Sequence, residues 1–352
     1  MSRPSLPSSF ARLITVAALA VWAAGAGATV AVAEAPSPQA QASADASKAA
    51  VHRSAANNDK EIRDYWTPAR MRAAKKETVP PERHKAPAQL GSLGARSAPG
   101  APGQHAVMPR STVTLLSLSS SAVWTAHGQM PATTVGKLFF TEPDGDHECT
   151  ASVIGSANRS LIWTAGHCVS DANGHWYSNW MFAPDYSDGS RPFGTWTWKN
   201  VSTPTGYLNG GDRDRDLAAI ALWPRNGSNV ADVTGWQGYK FNYGYDWNAY
   251  EFGYPYDTHP ARSGITGQQL RWCVGQTWRP GIWPFQPSQQ GIHCDQGHGA
   301  SGGPWLDDLQ LARGWGYLVG NVSYHPDDNS DEERSPHFGD AAVNVYNAEQ
   351  GV

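Results

Sequence analysis

From residue 112 onward, apolar and aromatic residues come in short runs separated by Gly, Pro, Asn and Asp. Examples are KLFF (137–140), CTASVIG (149–155), SLIWTAGH (160–167), TWTWKNV (195–201), LAAIALW (217–223), YEFGY (250–254), QLRWCVGQTW (269–278) and GWGYLVGNVSYH (314–325). Each is of strand length, and none continues into a helical period. Strands spaced in this way by turn signals predict an all-β sandwich or barrel. Only AAVNVYNAE (341–349) has room for a helix, at the C-terminal end. Roughly 240 residues is large for one small barrel, so two packed barrels are expected, residues 112–230 and 231–352. Their boundary falls in the Pro/Gly/Asn-rich stretch 224–236.

The preceding residues have a different texture. Arg3 and Arg12 precede an uncharged run, Leu13–Ala33, that closes in small residues with Ala31-Val32-Ala33 as a cleavage site. This is the pattern of a secretory signal peptide, residues 1–33. An apolar run of about 20 residues can also anchor in a bilayer, but this one is rich in Ala and Gly and no second run follows. Residues 34–111 are dominated by Ala, Pro, Ser, Gln and charges, and are expected to be a largely disordered pro-region or linker. One island, EIRDYWTPARMRAAKK (61–76), carries Tyr65, Trp66 and Met71, which could pack on a folded body.

Composition adds two constraints. Four cysteines, Cys149, Cys168, Cys273 and Cys294, contain no C-x-x-C pair; an even count in an exported chain favours disulfides over a zinc ribbon. The first 110 residues hold 14 Lys/Arg and 7 Asp/Glu, so of the formal total of −4 the remainder carries −11. An acidic exported body argues against nucleic acid as partner.

Three short motifs carry candidate chemistry: WTAGHC with His167, DLAAIAL beginning at Asp216, and GASGGP with Ser301. Nucleophilic catalysis by serine needs an imidazole to take the hydroxyl proton and a carboxylate to hold that imidazole. It also needs backbone N–H groups to receive the oxyanion. The glycines supply the last requirement, since a turn without a Cβ at Gly299 lets its N–H and that of Ser301 converge, and Gly302 and Gly303 keep the hydroxyl open. GDRDRD offers Asp212 and Asp214 as competing carboxylates, but only Asp216 directly precedes an apolar strand; the other two are expected to face solvent. The order His, Asp, Ser is that of the chymotrypsin-type barrels.

WTAGHCV, DLAAIAL and GASGGPWL resemble the three catalytic blocks of the trypsin-like (chymotrypsin-fold) serine peptidases. VGKLFFT (135–141), CTASVI (149–154) and YWTPARM in the pro-region are similar to the secreted bacterial branch. The resemblance implies two six-stranded antiparallel β-barrels and a secreted endopeptidase working through an acyl-enzyme. His167 is then the base, Asp216 its orienting carboxylate, Ser301 the nucleophile, and Gly299 with Ser301 the oxyanion hole. It also implies disulfides Cys149–Cys168 and Cys273–Cys294. Ala300 departs from the pattern of many animal relatives, which place there an aspartate that pairs with a freed N-terminus, so activation by that salt bridge is not expected. MPRST (108–112) is a conceivable cut.

Specificity has two readings, a trypsin-like preference for Arg or Lys as the main one and a preference for Glu as the alternative. Asp295, six residues before Ser301, matches the floor position of the trypsin pattern and would favour Arg or Lys. VSYH, with Ser323 and His325, and the nearby His298 could instead receive a glutamate, as in the glutamyl-endopeptidase branch. Outside the enzyme class, a catalytically silent binding module on the same fold is the alternative, although such a module need not keep the triad and its glycine frame together. His293, Cys294, Asp295 and His298 could be read as metal ligands, but the spacing is crowded and Cys294 has a better use. The acidic run 327–333 is read as a solvated loop, and the tryptophans of TWTWK as core. The expected protein is a secreted monomer acting on protein or peptide substrates, with no cofactor, no metal and no membrane contact after signal removal.

Overall fold

The computed structural model describes residues 37–54, 58–83, 100, 117–281 and 288–352. The signal segment and MPRST lie outside them. Contrary to the expectation of disorder, much of 37–83 is built into regular elements. These are α1 (Pro38–Ala46), β1 (Ala49–Arg53), α2 (Asp59–Tyr65), α3 (Pro68–Ala73) and the two-residue β2 (Lys75–Lys76). Ser37 and Thr67 cap α1 and α3, and each is followed by a proline in the first turn, the arrangement that satisfies first-turn N–H groups locally. Ordering is offset by burial elsewhere: Ile62, Trp66 and Met71 join the main core. Composition alone understated this, because the apolar surface that these side chains cover belongs to distant strands.

The chain next forms β3 (Leu118–Val123), followed by β4 (Val135–Glu142), β5 (Gly145–Ile154), β6 (Leu161–Thr164), β7 (Ser178–Pro184), β8 (Trp196–Pro204) and β9 (Ala218–Leu222). The last six pair in the order β8-β7-β4-β5-β6-β9, and β8 pairs β9 to close an antiparallel barrel. β1 pairs with the C-terminal part of β8, Asn200–Pro204, beyond the residues that pair with β7, and β2 runs parallel to β5. An antiparallel strand with one wet face alternates, yet Lys137, Leu138, Phe139 and Phe140 are all fully buried. The outer side is covered: Trp66 and Tyr186 lie against the Phe139 ring. Trp196 and Trp198 of β8 are buried as well, and His52 of β1 stacks on Trp198.

The second half contains β10 (Gly238–Tyr239), β11 (Asn248–Gly253), β12 (Arg271–Gln276), β13 (Gln289–His293), β14 (Pro304–Gln310), β15 (Trp315–Asn321) and β16 (Glu332–Pro336). Its main sheet runs β10-β15-β14-β11-β12-β3, and β13 with β16 forms a separate ribbon. β3 therefore precedes the first barrel in sequence but pairs with β12, Val123 opposite Arg271. A terminal helix (Asp340–Glu349) buries Val345 in the main core. One register matters for everything below. β6 and β9 pair from Leu161 opposite Ala221 to Thr164 opposite Ala218. The chain leaving β6 and the chain entering β9 thus meet at one rim, which brings residues 167 and 216 together.

Lys137 and Glu148 form an ion pair with both side chains buried, and the ammonium also donates to Gly267 O at 2.9 Å. Burial pushes the Glu148 carboxyl up and the Lys137 amine down, each opposed by the partner's charge. Lys137→Met should cost about 3–5 kcal/mol by stranding a buried carboxylate, whereas Lys137→Met with Glu148→Leu should recover most of it. Denaturant unfolding of both variants checks this; equal stability of the single variant and the parent would refute it.

Candidate active site

After β6 the chain enters a short turn, Gly166–Cys168, and just before β9 it passes Asp216. The Asp216 carboxylate is almost wholly shielded from water, so it needs donors on both oxygens. Oδ1 accepts the His167 backbone N–H at 2.9 Å. Oδ2 accepts His167 Nδ1–H at 2.8 Å and the Ser323 hydroxyl at 2.6 Å. An acceptor-only carboxylate requires Nδ1 to carry the proton, which leaves Nε2 as the basic nitrogen of the neutral ring. Burial works to raise the Asp216 pKa, but His167, followed by Ser323, holds it below the ordinary range. Burial likewise opposes a charged His167, yet Asp216, with Glu77 and Glu142 behind it, brings the imidazole above its usual value.

Ser301 sits in the turn between β13 and β14. Gly299 and Gly302 have φ of +90° and +80°, the left-handed region that favours glycine. Neither position has room for a Cβ: one at 299 would lie 2.4 Å from Tyr254 O, and one at 302 would lie 2.1 Å from Thr164 Oγ1. Thr150 of β5 ties this turn to the first barrel. Its N–H donates to Ser301 O, its hydroxyl donates to Gly299 O, both at 2.8 Å, and the hydroxyl accepts Tyr254 N–H at 3.0 Å. A Cys149–Cys168 disulfide ties the histidine turn to the same strand, and Cys273–Cys294 ties β12 to the segment leading to Ser301.

A group that the sequence did not single out completes the site. Glu77, just after β2, accepts Gly299 N–H on Oε2 at 2.7 Å and the Ser301 hydroxyl on Oε1. His167 Nε2 is buried without a hydrogen-bond partner among the described residues, 4.0 Å from Glu77 Oε1.

Several expectations about neighbouring residues need correction. Asp212 and Asp214 do not face solvent. Asp212 is buried against the Arg215 guanidinium, and Asp214 accepts Gln289 Nε2–H at 2.7 Å and Ser288 N–H at 3.1 Å. Asp295 is not an open pocket floor. Its Oδ1 accepts Ser121 N–H at 2.8 Å and its Oδ2 meets Arg262 at 2.5 Å, so its charge is matched within the chain. The acidic run 327–333 is only partly solvated, because Glu333 is buried beside His325, 2.7 Å away. The four side chains read as metal ligands diverge: His293 to Asp331, Cys294 into its disulfide, Asp295 to Arg262 and His298 to Asp257. Asp257, His259 and His298 bring ligand atoms close together, but the Lys76 ammonium already lies 2.9 Å from Asp257.

Beside Ser301 opens a cavity of about 160 Å³, lined by Arg213, His259, His298, Ser323, Tyr324 and His325, among others. The Arg213 guanidinium lies 4.1 Å from the centre of the Tyr324 ring, and its Nε is buried without a partner among the described residues. His325 Nε2 faces Gln296 O at 2.8 Å, and its Nδ1 is likewise unpartnered. Burial opposes charge on His325, but Glu333 outweighs it and pushes the pKa up to about 10.

No family model matches the chain. Among solved structures it is similar to the protease Anisep from Arthrobacter nicotinovorans, with 32% identity and a TM-score of 0.57 over 64% of this chain and 99% of that one. It is also similar to AL20, a thermostable serine protease from an extremophilic microorganism, with 32% identity and a TM-score of 0.56 over 62% and 96%. A Glu endopeptidase in complex with MPD shares 20% identity at a TM-score of 0.50 over 65% and 95%, a likeness of fold alone. Among curated proteins, the extracellular metalloprotease of Bacillus subtilis (strain 168) is 29% identical over 109 residues, 31% of this chain and a third (33%) of that relative's length.

The charge environment yields a direct test. In a Ser301→Ala chain, the His167 ring should titrate above the usual 6.5, and Asp216→Asn should bring it down by removing the largest raising charge. Histidine NMR across the pH range reads both. A parent titration at or below the ordinary value would contradict the arrangement.

Proposed function

The chain belongs to the bacterial serine proteases of chymotrypsin-like fold, and within that family we propose that it is a secreted endopeptidase with a preference for acidic side chains before the scissile bond. The enzymatic part rests above all on His167 Nδ1 donating to a buried Asp216 while Nε2 is left without a partner among the described residues, 4.0 Å from the Glu77 oxygen that accepts the Ser301 hydroxyl. In turnover His167 Nε2 takes the Ser301 proton as Oγ bonds to the substrate carbonyl carbon. The N–H groups of Gly299 and Ser301 hold the oxyanion. The C–N bond then breaks as His167 returns the proton to the leaving amine. Water, activated by the same imidazole, releases the acyl group from Ser301. Ser323 acts on the chemistry only through Asp216, whose second oxygen it fixes.

Export is supported by the N-terminal uncharged run and by two disulfides, which persist in oxidising compartments. Among the described residues, no helix is long and apolar enough to cross a membrane.

The acidic preference rests on the cavity. Its wall includes the carboxylates Glu77, Asp328 and Glu333, but Glu333 is taken up by His325 Nε2, and the wall also offers the Arg213 guanidinium and the unpartnered His325 Nδ1, both suited to a carboxylate. Asp295, which matches the floor position of the trypsin pattern, is already paired with Arg262 and lies outside the cavity lining.

Two measurements follow. After removal of the N-terminal segment, Ser301→Ala should lose roughly 10⁴-fold or more in kcat on any peptide, with covalent labelling by an organophosphonate lost in parallel; undiminished turnover would end the serine assignment. On short reporter peptides, Glu should be preferred over Lys and Arg, and Asp295→Asn should leave that ranking unchanged. Arg213→Ala should lower kcat/KM for Glu peptides by roughly 10- to 150-fold, the equivalent of one charge-assisted contact. A Lys/Arg preference abolished by Asp295→Asn would restore the opposite reading.

A further inference from the structure

Glu77 lies 222 residues from Gly299 in the sequence, yet its carboxylate touches both groups on which the proposed chemistry depends. One oxygen takes the Gly299 N–H that would face a developing oxyanion. The other takes the proton of the Ser301 hydroxyl. A nucleophilic serine needs its hydrogen bond to the base; here that proton points at Glu77, and His167 Nε2 is left without a partner.

Glu77 is held there by the chain on either side. Lys75 and Lys76 extend β5 in parallel register opposite His147 and Glu148, and His147 Nδ1–H donates to Lys76 O at 2.8 Å. The Lys76 ammonium meets Asp257, which also accepts the His298 N–H of the nucleophile loop at 2.8 Å. On the C-terminal side Thr78 N–H donates to Glu142 Oε1 at 3.2 Å. Further back, Trp66 is buried on Phe139 and its indole N–H donates to Asn179 O at 2.6 Å.

We infer that residues 58–83 are an inhibitor built into the chain, which keeps the protease latent by seating the Glu77 carboxylate in the oxyanion site and drawing the Ser301 proton away from His167. The inference rests on the serine-protease reading above and names the regulation of that site. The bound group is suited to inhibition rather than cleavage. It is an anion, so donors arranged for a developing negative charge hold it well. It is also a carboxylate, so attack on its carbon has no C–N bond to break.

The test compares intact chains, checked by mass, for the rate at which Ser301 is labelled by a fluorescent organophosphonate. The parent should label slowly. Glu77→Ala and Glu77→Gln should label faster by about tenfold or more, as expected if the open state is populated one time in ten or less in the parent. Lys60→Ala, an exposed change in the same segment, should stay slow. Thermal melting of each intact variant separates release of the site from loss of fold. A synthetic peptide of residues 58–83, added to chains from which an added protease has removed that segment, should slow labelling again, and its Glu77→Ala version should not. Intact parent that labels as fast as Glu77→Ala overturns the inference. So does a slow Glu77→Ala chain that becomes fast only after proteolysis, since the blocking group is then not this carboxylate. Absence of labelling in every form, processed or not, removes the serine-protease reading itself and the inference with it, an outcome distinct from the other two.

Discussion

A carboxylate removed from water must be surrounded by donors or lose its charge, and Asp216 is the point where this constraint organises the molecule. Its three donors come from two places: the His167 backbone and ring from the turn after β6, and the Ser323 hydroxyl from the chain after β15. The first barrel and the second sheet are therefore joined through one anion. Asn321 reinforces the joint by donating to Asp216 O at 3.2 Å. The same contacts that satisfy the carboxylate fix the imidazole tautomer, so structure and proposed chemistry impose one requirement.

A second joint runs through Thr150. It sits between Cys149, whose disulfide fixes the histidine turn, and the strand face that receives the nucleophile turn. Backbone N–H and hydroxyl of this one residue hold the carbonyls of Ser301 and Gly299. The turn that presents Gly299 N–H is thus held from the opposite barrel, which is where a rigid oxyanion site gains its precision. Losing one hydroxyl there leaves two buried groups unsatisfied, Gly299 O and Tyr254 N–H.

How far the sequence could be read depended on how local each contact is. Strand-length apolar runs with turn residues between them are a local signal, and the β-rich fold with a C-terminal helix follows from them. The three motifs stood out in the sequence because the chemistry proposed for them demands particular residue types side by side. Asp214 and Asp295 were misread for the opposite reason: their partners, Gln289 and Arg262, are distant in sequence and their relevance appears only on folding, while Asp212 pairs locally with Arg215 but its burial does not show in the motif. Residues 37–83 looked too polar to order by themselves because the apolar surface that stabilises them belongs to distant strands, β4, β7 and β8 among them. Two local traces existed: the island carrying Tyr65, Trp66 and Met71, and KLFF, a strand buried on both faces where alternation would be normal. Glu77 left no trace, since a single Glu after two lysines carries no chemistry until it meets Gly299.

Ala300 and Glu77 belong to the same account of latency. A zymogen that assembles its oxyanion turn only after cleavage needs a charge beside the nucleophile to pair with the new terminus. Ala300 has none, and it is buried so tightly that a Cβ on Gly253 would lie 2.6 Å from its own Cβ. In this chain the turn is already formed, with Gly299 at φ +90° and its N–H directed at an acceptor. A site that is preformed cannot be kept silent by disorder. It can be kept silent by occupancy, and an anion supplied from the chain's own N-terminal segment meets that requirement without a conformational switch in the barrels. On the inhibitor reading proposed above, the consequence is kinetic: activation would be limited by departure of the strap from β5 and Asp257, not by rebuilding of the turn around Ser301.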